Sequence, residues 1–422
     1  MASSINIGGM FGGISRALSH REYRRFFIAN FLSTIGRWMY RMSVGWLTWE
    51  LTKSTSWLGI VAFSEIFPTL LLSFFAGAIA DRIGYGRVMR ACQFLTTFVG
   101  ILFATLVLHG SITIELILAL TICYGSLEAL STPARMSVVH AMVPLEDLSA
   151  AVALGSTSFN AARFLGPAIA GLLITYLSTG LVMSVCAVMF FQFYIVLIFL
   201  RINESGRDRK MSFELCGDMK QGLIYVWGHH GIRFLMLLLG VTGLLIRPFM
   251  ELLPGFSDQV FGRGPEGMSI LLSSIGLGAV FSGLWLAQRG ETRGLTHLVT
   301  VSMMICAVAL LAFSMTGYLW LGAAFLFVLG CFMLLAGIGS QTLIQNVVDS
   351  SMRARVLSLF VLISWGLPAL GAVAMGWLAE FVGLQEVVGG GAVLTLGVWL
   401  WARRVTPSMA AGLEKPVQHG RG

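Results

Sequence analysis

Five ionisable residues, Arg37, Arg41, Glu65, Glu128 and Arg163, lie far inside long apolar stretches of the chain. If those stretches cross a bilayer, an ionised side chain costs about 2.5–3.5 kcal/mol at the centre, so each must meet a partner or water. A carboxyl in such a place takes up and releases protons when desolvation outweighs its cationic neighbours. Glu65 and Glu128 are therefore candidate proton carriers. Arg37 and Arg41, four apart, share one helix face. Arg41 and Glu65 fall at equal depth in consecutive stretches, which predicts an ion pair. Glu128 and Arg163 differ in depth by about five residues, roughly 7 Å of helical rise, a gap that long side chains bridge. The simpler reading of each pair is a structural tie between helices that moves nothing. The same choice applies to Arg247 and Glu251, four apart near the outer end of a later stretch. Gln341 and Gln345, also four apart, are candidates for contact with a ligand or for closing the inner end of its cavity. The five central groups carry an excess of positive charge, which favours an anionic or zwitterionic ligand over a lipophilic cation.

Other chemistry lacks its residues. The chain has no HExxH pair, no paired aspartates of a diphosphate–metal site, and no Gly-rich phosphate loop followed by Lys-Ser/Thr. A membrane-embedded enzyme or a built-in ATPase motor is therefore not expected, and neither is a catalytic residue, a metal or a cofactor. The six cysteines, Cys92, Cys123, Cys186, Cys216, Cys306 and Cys331, show no metal-ligand spacing. All except Cys216 lie in apolar segments, where they read as small core residues. The net charge of +8 is dispersed over short loops instead of forming a stripe, so nucleic acid is not an expected partner.

The elements that must carry these residues follow from composition. Of 422 residues, 56% are hydrophobic and 11% charged. The mean hydropathy is +0.83. A soluble domain carries roughly 25% charged residues, so the solvent around most of this chain must be lipid. A helix needs about 20 apolar residues to cross about 30 Å of hydrocarbon. Twelve stretches qualify, near 26–49, 57–80, 88–109, 115–135, 151–176, 180–201, 232–250, 267–288, 296–316, 319–341, 356–379 and 384–403. The first begins after Arg21, Arg24 and Arg25 and is too long for the h-region of a signal peptide. The longest polar interval, 202–225, divides the spans six and six. The expected organisation is a bundle over 1–201, a cytoplasmic central loop over 202–225, and a second bundle over 226–422 with a short cytoplasmic tail.

Charge orients the spans. Of the 28 Lys and Arg residues, Arg37, Arg41, Arg163 and Arg247 lie within spans, and Lys53 and Arg263 lie in outer loops. Every other one is cytoplasmic if both termini are, as the positive-inside rule requires of an even span count. Trp46, Trp49 and Trp57 flank the outer ends of the first two spans and read as interfacial anchors. A weak internal repeat places Asn346–Gly376 on Ala141–Gly171, with Val348 on Val143, Leu359 on Leu154, Gly371 on Gly166 and Gly376 on Gly171; Gly283 likewise falls on Gly77. Two pseudo-symmetric six-helix bundles follow, an architecture suited to alternating access.

The loop after the second span reads Gly77-Ala-Ile-Ala-Asp81-Arg82-Ile-Gly84-Tyr-Gly-Arg87. Gly77 is expected to allow close helix packing, Asp81 and Arg82 to end the helix at the water boundary, and Gly84 to supply a positive φ. The pattern resembles the signature of the major facilitator superfamily. Further stretches are similar to one branch of it, the bacterial exporters like the enterobactin exporter. They are Thr132-Pro133-Ala134-Arg135, Val143-Pro144, Leu148–Leu154, Asn160-Ala-Ala-Arg163, Gly166-Pro167-Ala168, Leu252-Leu253-Pro254, Gln341-Thr342-Leu343-Ile344-Gln345 and Arg353-Ala-Arg355-Val356. The resemblance implies an all-α membrane protein of twelve spanning helices in the major facilitator fold. It implies a cytoplasmic gate made by Gly77, Asp81, Arg82, Gly84, Arg87 and Arg135, closing against the helix start at Arg353 and Arg355. Gly166, Pro167 and Gly171 resemble the antiporter motif of the fifth helix, with Ala162 and Ala170 where that motif has glycines. Gly36-Arg37 departs from many relatives, which place an acid after the glycine.

The leading expectation is a monomeric secondary transporter in a bacterial cytoplasmic membrane. It would export a small amphipathic molecule (siderophore, drug or organic anion), with the proton gradient as energy source. Uptake or lipid flipping by the same fold is the alternative within transport, and a non-transporting sensor or scaffold is the alternative outside it.

Overall fold

A computed structural model describes residues 15–200, 215–289, 293–349 and 351–414. Among the described residues there is no strand. Long apolar runs become helices because a chain surrounded by lipid must satisfy its backbone groups within each segment. The helices are α1 (Arg21–Thr52), α2 (Thr55–Ile83), α3 (Tyr85–Leu108), α4 (Ile114–Met142), α5 (Leu145–Tyr176) and α6 (Thr179–Phe199). A shorter α7 (Leu215–Gly228) follows. Then come α8 (His230–Leu245), α9 (Gly264–Arg289), α10 (Leu295–Met315), α11 (Leu319–Val347), α12 (Arg353–Val382) and α13 (Leu384–Leu413). The part of the predicted central loop over 202–214 lies outside the described residues, and its remainder belongs to α7.

Boundaries have local causes. Thr113 and Ser178 accept hydrogen bonds from the backbone N–H groups of Leu116 and Leu181 and so cap α4 and α6. Gly84 adopts φ 114° between α2 and α3, the conformation its place in the loop predicts. The seventh span departs from expectation. Its predicted end near 250 is replaced by a 3₁₀ turn over Arg247–Leu252, a short α turn and a π turn over Phe256–Val260. Pro248 and Pro254 deny the regular helix its donors there, so the backbone changes pitch without leaving the apolar segment.

Among the described residues, ten helical segments are long and apolar enough to cross a membrane. α1 and α5, each 32 residues, are long enough but fall short in hydropathy. α1 carries Arg37 and Arg41, and α5 is rich in Ser, Gly, Ala and Asn.

The chain forms two compact units, 1–47 with 67–211 and 48–66 with 212–422. The core of the first gathers Phe26, Met89, Val138 and Phe193. That of the second gathers Phe234, Leu239, Val299, Leu343 and Phe360. The turn joining α1 to α2 and its flanking helix ends, residues 48–66, group with the second unit, which the sequence division at 202–225 does not anticipate. Cys92, Cys186, Cys306 and Cys331 are buried as expected, whereas Cys123 is exposed.

Candidate functional site

Three predicted residues meet inside the first unit. Arg37 on α1 donates from Nη1 to Glu128 Oε2 on α4 at 3.0 Å, and from Nη2 to Thr34 Oγ1 at 2.6 Å. Arg135 lies two turns beyond Glu128 on α4. Its Nη2 reaches Glu128 Oε1 at 3.4 Å and Oε2 at 3.5 Å, and Ser131 Oγ at 3.1 Å. Helical side chains lean toward their helix N-terminus, so Arg135 reaches back to the carboxylate. The three side chains retain 15%, 23% and 17% exposure for Arg37, Glu128 and Arg135, so they are withdrawn but not sealed.

This corrects one expectation. Glu128 meets Arg37 and Arg135, not Arg163. A match in depth says nothing about which way a side chain points around its helix axis. Arg163 instead stacks over the ring of Trp38, 5.6 Å from its centroid, and Arg41 approaches the same ring at 5.9 Å. Arg135, which the family resemblance gives to the gate, is part of the buried set.

Neighbouring packing fixes the geometry. Tyr40, one turn from Arg37, stacks on Tyr124, one turn from Glu128, with ring centroids 4.4 Å apart. Tyr40 also meets Phe103 edge-on at 5.6 Å. These buried rings hold α1 and α4 in register. On α5, Gly166 lets the helix approach α1 closely, since a Cβ there would overlap Trp38 Cβ and lie 3.1 Å from the Ile35 carbonyl. Pro167 and Gly171 are buried on the same helix.

The remaining predicted residues lie on several elements. Asp81, Arg82 and Arg87 are exposed around the α2–α3 turn, and Asp81 accepts a hydrogen bond from Tyr85 Oη. Among the described residues, a Cβ at Gly77 would meet no heavy atom within 4 Å, so the close packing expected of this glycine is not seen there. Arg353 and Arg355 open α12, and Arg355 Nη1 donates to Gln221 Oε1 on α7 at 2.7 Å. Gln341 is exposed and Gln345 half-buried near the end of α11. Arg247 donates to the Ser364 carbonyl at 2.7 Å and stacks over Trp365 at 5.8 Å, and Glu251 follows one turn later. Glu65 is half-buried on the part of α2 that groups with the second unit, while Arg41 belongs to the first. Among the described residues, no three His, Cys, Asp or Glu side chains converge as metal ligands.

One constellation escaped the sequence reading. Within the second unit, the α1–α2 turn is gripped by two carboxylates. Asp258 Oδ2, in the π turn, accepts from Trp49 Nε1 at 2.8 Å and from Lys53 Nζ at 2.7 Å. Glu380 on α12 accepts from Ser54 Oγ and from the Ser56 backbone N–H at 3.0 Å. It sits at the N-terminus of α2, where an anion is favoured. Thr55 Oγ1 donates to the Gly376 carbonyl at 2.7 Å. Trp49 is therefore not the interfacial anchor expected of it: it is fully buried, and its indole N–H is committed to Asp258. Trp46 is buried as well. The one signal in the sequence was an acid flanked by apolar residues at Glu380; Asp258, between Ser257 and Gln259, gave none.

Comparison with known proteins agrees with this architecture. The profile of the transmembrane secretion effector family matches residues 15–419. The staphyloferrin A transporter of Staphylococcus aureus is 26% identical, over 85% of this chain and 90% of its own length. The macrolide efflux protein A of Streptococcus pyogenes is 22% identical, over 84% of this chain and 88% of its own. Among solved structures, a POT family transporter in complex with 5-aminolevulinic acid superposes with a TM-score of 0.71 at 14% identity, covering 92% of this chain and 96% of that one. The nucleoside transporter NupG superposes with a TM-score of 0.70 at 13% identity, covering 94% and 100%. Helices of spanning length, the two-unit fold, the signature loop and the matched profile lead to one assignment: the chain is a multi-pass membrane transporter of the transmembrane secretion effector family, within the major facilitator superfamily.

Proposed function

We propose that this transporter exports a small amphipathic molecule, a siderophore, drug or organic anion, across the cytoplasmic membrane of a bacterium, with the proton gradient as its energy source. The observation that carries the reading is Glu128, a largely buried carboxylate held between Arg37 and Arg135. Desolvation favours its neutral form and the two guanidiniums favour its anion, so small changes in their separation move its proton affinity. A group balanced in this way couples helix movement to proton uptake. The relative named for macrolide efflux supports outward movement of a small molecule, and the one named as a staphyloferrin A transporter supports a siderophore among the candidate cargoes. Glu65, with Arg41 at matching depth, is the second candidate carrier.

Alternating access also needs gates. Asp81, Arg82, Gly84 and Arg87 with Arg353 and Arg355 serve as the cytoplasmic gate, both termini being cytoplasmic. The grip of Asp258 and Glu380 on the α1–α2 turn serves as the outer one. The test is reconstitution into liposomes with an imposed pH gradient, screening siderophores, organic anions and cationic dyes. Glu128→Gln is expected to abolish gradient-driven flux while the protein still inserts. Flux at the parental level would remove Glu128 as the proton carrier.

A further inference from the structure

We infer that α7 is an interfacial helix: it rests an apolar face on an anionic lipid surface at its end of the second unit, and so holds the start of α12. With both termini cytoplasmic, as proposed above, that surface is the inner leaflet.

α7 has 14 residues, too few to cross hydrocarbon, which takes about 20. It stops where the seventh span begins, because His229 is extended (φ −98°, ψ 102°) and the spanning helix starts at His230. Its last turn therefore lies at the boundary between water and lipid. The helix has two unlike faces. On one, Val226 is buried in the core of the unit, and a Cβ at Gly222 would lie 3.2 Å from Arg355 Cβ. Tyr225 Oη donates to Asp349 Oδ2 at 3.0 Å, beside the Gln221–Arg355 hydrogen bond on the same flank. On the other face, Met219, Leu223, Ile224 and Trp227 are 40%, 53%, 61% and 62% exposed. At about 100° per residue these four fill an arc of about 140°. A continuous apolar stripe of this kind marks a surface that binds a partner or a membrane.

Two observations give the stripe to lipid. The first is continuity with the spanning helix. Arg233, Leu237 and Leu244 share one face of α8 by their spacing, and both leucines are exposed. Leu235 and Leu239, on the far side, enter the core. Arg233 stacks over Trp227 at 5.8 Å and donates from Nη1 to the Trp227 carbonyl at 3.3 Å. The stripe on α7 thus runs into the exposed row of a helix of spanning length. The second is charge. Lys220 is exposed inside the arc, and Arg233 stands at its end. A basic side chain lays its stem along lipid while its cation reaches the headgroups, and tryptophan favours the same depth. Each such cation tightens binding to an anionic surface about fivefold.

The contacts of Gln221 and Tyr225 carry the docking onward to the turn before α12 and to its first residues, Arg353 and Arg355. Lipid charge thereby sets how firmly that helix start, assigned above to the gate, is held.

The test is hydrogen exchange on the purified full chain in nanodiscs, one chain per disc. The lipid is phosphatidylcholine alone or with one third phosphatidylglycerol. Phosphatidylglycerol is expected to slow exchange about fivefold or more over 215–228 and over 353–360, while α10 stays unchanged. Lys220→Gln with Arg233→Gln should erase the difference between the two lipids. Lys220→Gln alone, at an exposed position, should halve it or more, and serves where the double variant does not fold. Leu223→Ser with Ile224→Ser should speed exchange over both segments in either lipid. Equal exchange in the two lipids, or parental exchange in the serine variant, overturns the inference. So does slowing that appears only with two chains per disc, which would make the stripe an interface between copies. Both leaflets of a nanodisc carry the same lipid, and the readout needs no transport. Docking therefore stands if proton-driven flux fails in the liposome assay, and it falls by itself if lipid charge has no effect.

Discussion

At the scale of single residues, the ions buried in apolar helices were legible from the sequence because each contradicts its surroundings. Arg37, Glu128 and Arg163 stand out for the same reason that their burial is costly. Their partners were not legible. Sequence position gives depth along a helix, while the direction in which a side chain points around its axis depends on which neighbour packs there. Glu128 therefore went to Arg163 on paper and to Arg37 and Arg135 in the fold. A further carboxylate shows the same limit. Asp147, in the first turn of α5, receives His20 Nε2 at 3.0 Å and Arg16 Nε at 3.2 Å, tying the segment before α1 to α5. The hydrogen bond from His20, aided by the Arg16 charge, holds its carboxyl below the usual aspartate value of 3.8. A lowered carboxyl stabilises the folded state fully above the unfolded value and loses that contribution as pH falls through the folded one. Asp147→Asn is thus expected to lower the melting temperature at neutral pH. The gap to the parent should close only below about pH 4 in melts followed by intrinsic fluorescence.

At the scale of elements, the span pattern was readable because lipid imposes its length on a helix. The seventh span, from His230 to Val260, resisted. Hydropathy continues through a segment whose prolines forbid a regular helix, so composition alone gives no end point. That irregular stretch supplies Asp258 to the grip on the α1–α2 turn. The grip is built to let go. Lys53 and Asp258 retain 56% and 33% side-chain exposure, and pairs that open to water contribute about 0–1 kcal/mol. The neutral hydrogen bonds add about 0.5–1.5 kcal/mol each. The sum lies within reach of a conformational cycle. Combined Asp258→Asn and Glu380→Gln is expected to speed hydrogen exchange several-fold across residues 48–66 while leaving α3 and α6 unchanged. Uniform protection across 48–66 would show that packing alone, without the carboxylates, holds the turn.

At the scale of the whole molecule, the sequence repeat has a counterpart in packing. Gly166 brings α5 against α1, and Gly371, its match in the repeat, brings α12 against α8. A Cβ at Gly371 would lie 2.5 Å from Pro248 Cγ and 2.7 Å from the Leu244 carbonyl. Two glycines in equivalent places thus do equivalent work in the two units. Gly166→Ala and Gly371→Ala are each expected to cost roughly 1–3 kcal/mol, read as comparable drops in melting temperature. A loss at one site alone would break the correspondence. The union of Arg37 with Glu128 has a last consequence, for biogenesis. The two residues lie 91 positions apart, so at synthesis rates of about 5–20 residues per second the arginine waits roughly 5–20 s for its counter-charge. α1 cannot be released into lipid on its own merits, and the first four helices must leave the insertion machinery as a group.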